Sequence, residues 1–319
     1  MQMRGNRRLR RWVQIFSEGL KTTPPHLRAF AEICGSKNFP CANFLFISAR
    51  VPTLCAFMKV IAVANQKGGV GKTTTSLNLS VCLAELGQRV LLVDLDPQAN
   101  ATSGLGIEPV DEISASTPMM GEAPMADMVI PTRFPNLWLV PANLDLAGVE
   151  VEAIRSGDHL MRLRDALTAM RADAPFDFIV LDCPPSLGVL MTNALCAADE
   201  ILIPLQCEYY SLEGLAKIVG VCEQLRQSGA NAALQLCGIL MTMYMRTNHS
   251  NAVVAEIQKH YGDIIFKTVI PRTIRLAEAP SHGQPIIQYE PGGLGSAAYR
   301  ALAKEFLARE GVKAATMAD

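Results

Sequence analysis

The sequence predicts an α/β fold, a doubly wound and mostly parallel sheet flanked by helices. Three observations carry that expectation. Short apolar runs alternate with helix-length amphipathic segments, the pattern of parallel strands joined by crossover helices. A glycine loop, Lys67-Gly68-Gly69-Val70-Gly71-Lys72-Thr73-Thr74, separates the first apolar run from the first helix. Aspartates end two further runs, at Asp94 and Asp182, and ligands in such sheets bind at the carboxyl ends of the strands.

In chain order, the run 60–64 is a buried first strand. A helix follows over 73–86: Leu77, Val81 and Ala84 fit helical spacing, and Gly87 supplies a C-terminal cap. Further strands are expected at 90–94, 137–141, 178–182, 201–205, 236–242 and 268–270. Helices are expected at 158–172, where Asp158 is the N-cap and Met161, Leu163, Ala166, Leu167 and Met170 form the apolar face, and at 212–227, 251–260 and 296–309. Residues 104–136 are rich in Gly, Pro, Met and Ser with weak periodicity. They read as a variable surface excursion, not a second domain.

A chain of 319 residues, half of them apolar, is long enough to bury a large core. No uninterrupted apolar run reaches the ~18–20 residues of a membrane-spanning helix. The nine cysteines are odd in number and include no C-x-x-C pair, which fits reduced thiols in a cytosolic protein and gives no support to a metal or iron–sulfur centre. The five histidines share no ligand spacing. Net charge is −1 but unevenly placed: +7 over residues 1–57 and −8 over the remainder. The larger part can therefore meet nucleic acid only through a local basic patch. The division falls at Met58. Residues 1–57 form a basic N-terminal extension, Arg-rich at its start and without sustained period. A DNA-binding arm or small helical domain, a targeting peptide, and a disordered segment or start-codon artefact all fit it, and the artefact reading is preferred.

The chemistry centres on the glycine loop. Strand, glycine loop and helix is the setting in which backbone N–H groups cradle phosphates. Lys72 is placed to reach the terminal phosphates and the Thr73 hydroxyl to ligate Mg²⁺. The loop departs from G-x-x-x-x-G-K-[ST], because Gln66 stands five residues before Gly71 and a second lysine, Lys67, follows it. Hydrolysis of a phosphoanhydride needs a metal ion and a positioned water. Asp94 and Asp96 close one strand and Asp182 another, after four apolar residues, as expected of carboxylates that hold the water shell of Mg²⁺.

With Lys67, Lys72, Asp96 and Asp182 in place, the chain from Met58 resembles the ParA/Soj partitioning ATPases, which carry a deviant Walker A motif. The motifs that carry the likeness are 65–75, DLDPQANAT at 94–102, DCPPSLG at 182–188, QCEYYSLEGL at 206–215 and 268–283. The resemblance implies one ATPase domain over 58–319 with ATP and Mg²⁺ as cofactors. It gives Lys67 a role in trans on the partner's nucleotide and Asp96 a role in positioning water. It makes 182–188 a switch that senses the γ-phosphate and places Thr242 and Pro271 near adenine. It further implies an ATP-bound homodimer that binds DNA without sequence preference, a ParB-like partner that stimulates slow hydrolysis, and a cytoplasmic, nucleoid-associated place of work with no membrane contact. Candidate DNA contacts are Arg246, Arg226, Lys217 and Arg275, followed by Lys259, Lys267 and Arg272. Glu223 stands where close relatives lead one to expect arginine. The different-class alternatives are a MinD-like membrane-positioning ATPase, weakened by the modest apolar content of the C-terminal helix, and a metallocluster carrier, weakened by the missing C-x-x-C.

Overall fold

Seven strands form one sheet in the order β3-β4-β2-β5-β1-β6-β7. They are β1 (Lys59–Val63), β2 (Val90–Asp94), β3 (Ile130–Pro131), β4 (Leu137–Val140), β5 (Phe178–Asp182), β6 (Glu200–Gln206) and β7 (Gln235–Thr242). Every pairing is parallel except the edge pair β3–β4. The computed structural model describes residues 58–156, 160–171, 176–208 and 211–312, all within one compact unit, Cys55–Asp319. The expectations for 1–57 and for the Asp158 cap lie outside the described residues.

Strand alternation sorts the core into two layers. Val60 and Ala62 of β1 join Leu91, Ile179 and Ile203 on one face; Ile61 and Val63 join Leu92, Val180 and Leu202 on the other. Helices cover both faces, as an all-apolar parallel sheet requires. The second face is covered by α1 (Lys72–Glu85) and the C-terminal helix α11 (Leu294–Arg309), through Leu77, Leu79, Leu83, Leu302 and Phe306. The first is covered chiefly by α4 (Leu146–Ser156), α5 (Arg162–Arg171), α6 (Val189–Ala197), α7 (Ser211–Gln227) and α8 (Asn248–Tyr261). In α7 the buried residues Leu215, Ile218, Cys222 and Leu225 recur at helical spacing and form its inward stripe.

Three expectations need correction. Residues 268–270 are not a strand. Single bridges flank them, Ile239 with Ile265 and Tyr244 with Pro271. The N–H groups of Lys267 and Thr268 donate instead to the Glu305 carboxylate of α11, at 2.7 and 2.9 Å, and Pro271 has no N–H to give. Residues 104–136 are not merely a surface excursion: Ala115, Met119 and Met125 are buried in the first core. Their helices, α2 (Asn100–Gly104) before them and α3 (Ser116–Met120) within, have five residues each, too few for a period to show in sequence. Besides these short helices, two longer ones were not anticipated, α4 and α6. In α6 nearly every residue is buried, so no amphipathic stripe marks it. Short helical pieces lie before α11: α9 (Ile274–Glu278), α10 (Ile286–Tyr289) and a 3-10 turn between them, Ala279–His282.

Candidate functional site

The loop 64–71 leaves the carboxyl end of β1 and is fixed from below. Buried Asn65 donates to the Pro204 carbonyl at 2.7 Å and accepts from the Lys67 N–H at 3.0 Å. Val70 is fully buried, and its carbonyl accepts from the Thr242 hydroxyl at 2.8 Å, which joins the loop to the end of β7. Gly69 and Gly71 have φ of 70° and 89°, a region that costs an L side chain energy and glycine nothing. The loop delivers the chain into α1 with no side-chain cap and no acidic residue in the first turn. The first N–H groups of α1 therefore lack intrahelical acceptors.

The first residue of that helix is Lys72. It is only 6% exposed, and its ammonium folds back onto the Lys67 carbonyl at 3.2 Å. Burial lowers its pKa, against the opposing pull of Asp182 and Asp96. A cation at the positive end of a helix dipole is poorly placed on its own and well placed once an anion arrives.

Strand register sets the acids side by side, Asp94 of β2 opposite Asp182 of β5. Asp94 is fully buried and accepts from the Asp96 N–H, the Thr102 N–H and the Thr102 hydroxyl at 3.1, 2.9 and 2.8 Å. Burial nevertheless pushes it up to about 6. Its place is structural: it shapes the turn that presents Asp96. Asp96 in turn accepts from the Gln98 N–H at 3.0 Å through Oδ1. Asp182 accepts from Ser76 at 2.8 Å through Oδ1, while its buried Oδ2 has no partner. Burial, then Asp94, pushes Asp182 up to about 8, and the Ser76 and Thr73 hydroxyls pull it back. An orphaned carboxylate oxygen beside the Thr73 hydroxyl and Asp96 is an all-oxygen set of the kind a hard divalent cation takes.

A cleft of about 590 Å³ opens over the loop. Gly68, Gly69, Gly71, Lys72, Thr73, Thr74 and Asp96 line it together with Thr242 and Pro271, while fully buried Asp94 and Asp182 are not in its lining. Met243 and Tyr299 also line it and were not anticipated, nor were Gln98 and Asn100, while Arg272, expected among the DNA contacts, lies in the cleft wall. Gln98 and Asn100 lie inside the 94–102 motif, where a signal existed. Tyr299 sits in the middle of α11, where none did; its hydroxyl lies 3.3 Å from that of Thr75.

Lys67 turns away from this cleft. Its ammonium pairs with Glu208 at 2.9 Å and donates to Gln206 Oε1 at 3.3 Å, at the end of β6. Of the DNA candidates, Lys217 pairs with Glu213 at 2.8 Å and Arg275 with Glu278 at 2.9 Å. Arg226 donates to the Leu234 carbonyl at 2.6 Å and pairs with Glu223 at 3.1 Å. Arg246 is exposed and, among the described residues, has no ion pair. Glu200, Cys237 and Glu310 also come together, far along the strands from the loop. The Lys59 ammonium already occupies their midst, 2.5 Å from Glu200 and paired with Glu310.

Comparison with known proteins places this geometry. The profile of a family described as AAA domain matches residues 58–236. The chromosome partitioning protein ParA of Caulobacter vibrioides is 46% identical over 255 residues, 79% of this chain and 95% of that protein. The sporulation initiation inhibitor protein Soj of Bacillus subtilis is 50% identical over 252 residues, 78% of this chain and 98% of that protein. Among solved structures, cobyrinic acid a,c-diamide synthase from Mycobacterium smegmatis with bound ADP and magnesium superposes with a TM-score of 0.68 at 36% identity, covering 82% of this chain and all of that one.

Proposed function

This chain belongs to the ParA/Soj family of chromosome-partitioning ATPases, and from that premise we propose that residues 58–319 form an ATP-driven dimerising switch in DNA partitioning. ATP and Mg²⁺ are the cofactors. The observation that supports the reading best is the uncapped start of α1, with Lys72 buried in its first turn and the unpartnered Asp182 oxygen close by.

The loop N–H groups from Gly68 to Thr74 and the Lys72 ammonium take the phosphates, which supply the anion that the helix start lacks. The Thr73 hydroxyl, and Asp96 and Asp182 through water, hold Mg²⁺, which when bound withdraws charge from the phosphoryl oxygens. Asp96 has Oδ1 fixed by Gln98 and orients the attacking water with its other oxygen. Thr242 and Pro271 border the base. Hydrolysis is slow without a ParB-like partner. Lys67 serves the nucleotide of a second copy. Its present pairing with Glu208 is half-exposed, and such a pair is worth at most about 1 kcal/mol, a small barrier to redeployment. The dimer holds nucleoid DNA without sequence preference, with Arg246 as the contact that is free to reach phosphate.

The membrane alternative is not favoured. The apolar side of α11, Tyr299, Leu302, Phe306 and Leu307, is buried against the sheet, so that helix keeps no such face for lipid. Among the described residues no helix is long and apolar enough to cross a membrane.

The test is size-exclusion and co-sedimentation with ATPγS and Mg²⁺, offering random-sequence DNA and anionic liposomes in parallel. A nucleotide-dependent dimer that sediments with DNA is expected, with Asp96→Ala trapping it in ATP. Liposome binding in place of DNA binding, or DNA binding indifferent to nucleotide, would overturn the reading.

A further inference from the structure

The helix α6 follows directly on the segment 182–188, and its start is bare. Gly188 is its N-cap residue and brings no side-chain hydrogen bond. Thr192 is the first residue whose N–H bonds back, to the Gly188 carbonyl at 3.1 Å. The N–H groups of Val189, Leu190 and Met191 precede it and have no intrahelical acceptor. A neighbouring helix brings a carboxylate to this spot. Glu150 of α4 lies so close that a Cβ on Gly188 would meet its Oε1 at 2.3 Å. That Oε1 is buried and makes no hydrogen bond. An acceptor without a donor thus abuts a helix start that has donors without an acceptor.

We infer that Glu150 is the positioning residue of the segment 182–188: its carboxylate becomes the cap of α6 when that segment takes its ATP-bound position. Resting on the reading of 182–188 as a γ-phosphate switch, the inference names what the moving segment docks against. The carboxylate and the helix start are in contact but unbonded, and both are undersatisfied. A small shift of the loop toward the phosphates lets the N–H groups of α6 close on Glu150. The gain is a charge-assisted hydrogen bond, favoured further by the helix dipole. Gly188 is required here for space, since its φ of −93° is open to any residue. Only a glycine lets the carboxylate come so near the backbone.

The test compares the full chain with Glu150→Ala, Glu150→Gln and Gly188→Ala by amide hydrogen exchange of 182–192 in ADP and in ATPγS, and by steady-state ATPase kinetics. The parent should gain protection at 189–191 in ATPγS. Glu150→Ala should lose that gain and drop kcat about tenfold, the loss of one charge-assisted bond, with ADP affinity and KM little changed. Glu150→Gln keeps an acceptor oxygen and should recover part of both. Gly188→Ala, which attacks the contact from the other side, should behave like Glu150→Ala. If the parent gains protection and Glu150→Ala gains it equally with kcat unchanged, the assignment of Glu150 is overturned and the switch reading stands. If the parent shows no difference between nucleotides, the switch reading falls and takes this inference with it.

Discussion

Lys72 and Asp182 are each held in a state that suits them badly until a ligand arrives. Lys72 is a buried cation at the positive end of α1. Lys72→Ala is therefore expected to weaken nucleotide binding about 100-fold, the scale of one charge-assisted contact with phosphate, as measured by titration with a fluorescent ADP analogue. Asp182 is a fully buried carboxylate with one oxygen unpartnered, pushed up to about 8. Its folded pKa lies above that of the unfolded chain, so without metal it costs stability progressively as pH rises from the ordinary carboxylate range towards 8. Asp182→Asn keeps an acceptor for Ser76 and removes the charge. The nucleotide-free variant should be stabler than the parent by about 1 kcal/mol, more at pH 8 than at pH 6 by urea unfolding, while Mg²⁺-dependent turnover is lost. Equal stability of the two proteins at both pH values would contradict this account.

At the scale of elements, Glu305 does for the segment after residue 266 what a strand neighbour would otherwise do. Burial alone would raise its pKa, but the Lys267 and Thr268 N–H groups and Arg309 together hold it low. Glu305→Ala should release the segment that carries Ile270 and Pro271 into the cleft wall. A loss of about 1–2 kcal/mol in denaturant unfolding is expected, with KM for ATP rising and kcat nearly unchanged. The same segment shows where sequence stops being legible. Thr268-Val269-Ile270 looks like a strand because hydrophobic pattern reports burial: Val269 packs on the first core layer and Ile270 lies in the second, yet the stretch is flanked by single bridges and not by a ladder. The six longer strands were legible because each is a short run of mostly buried apolar residues. The helix α6 escaped notice for a different reason, being buried nearly all round, so that no polar face alternates with an apolar one. In the site, the loop and the acids could be read from local spacing, since strand ends bring them together. Tyr299 could not, because only the docking of α11 onto α1 carries it there.

For the molecule as a whole, the expected behaviour is assembly governed by nucleotide. Lys67→Ala should bind ATP and remain monomeric on size-exclusion with ATPγS; dimers as stable as the parent's would reject a role in trans. Arg246→Ala should weaken DNA binding about equally for all sequences and lower the salt slope by about one unit. The ion-paired Lys217, Arg226 and Arg275 should matter less, because their partners must first be given up. Tyr299 has a consequence of a different kind. It is one of six tyrosines in the chain, and it lies in the wall of the cleft, 1% exposed. Fluorotyrosine incorporated throughout would thus place an NMR-active nucleus beside the bound ligand without altering the loop. Apo, ADP and ATP forms could then be counted directly in one spectrum.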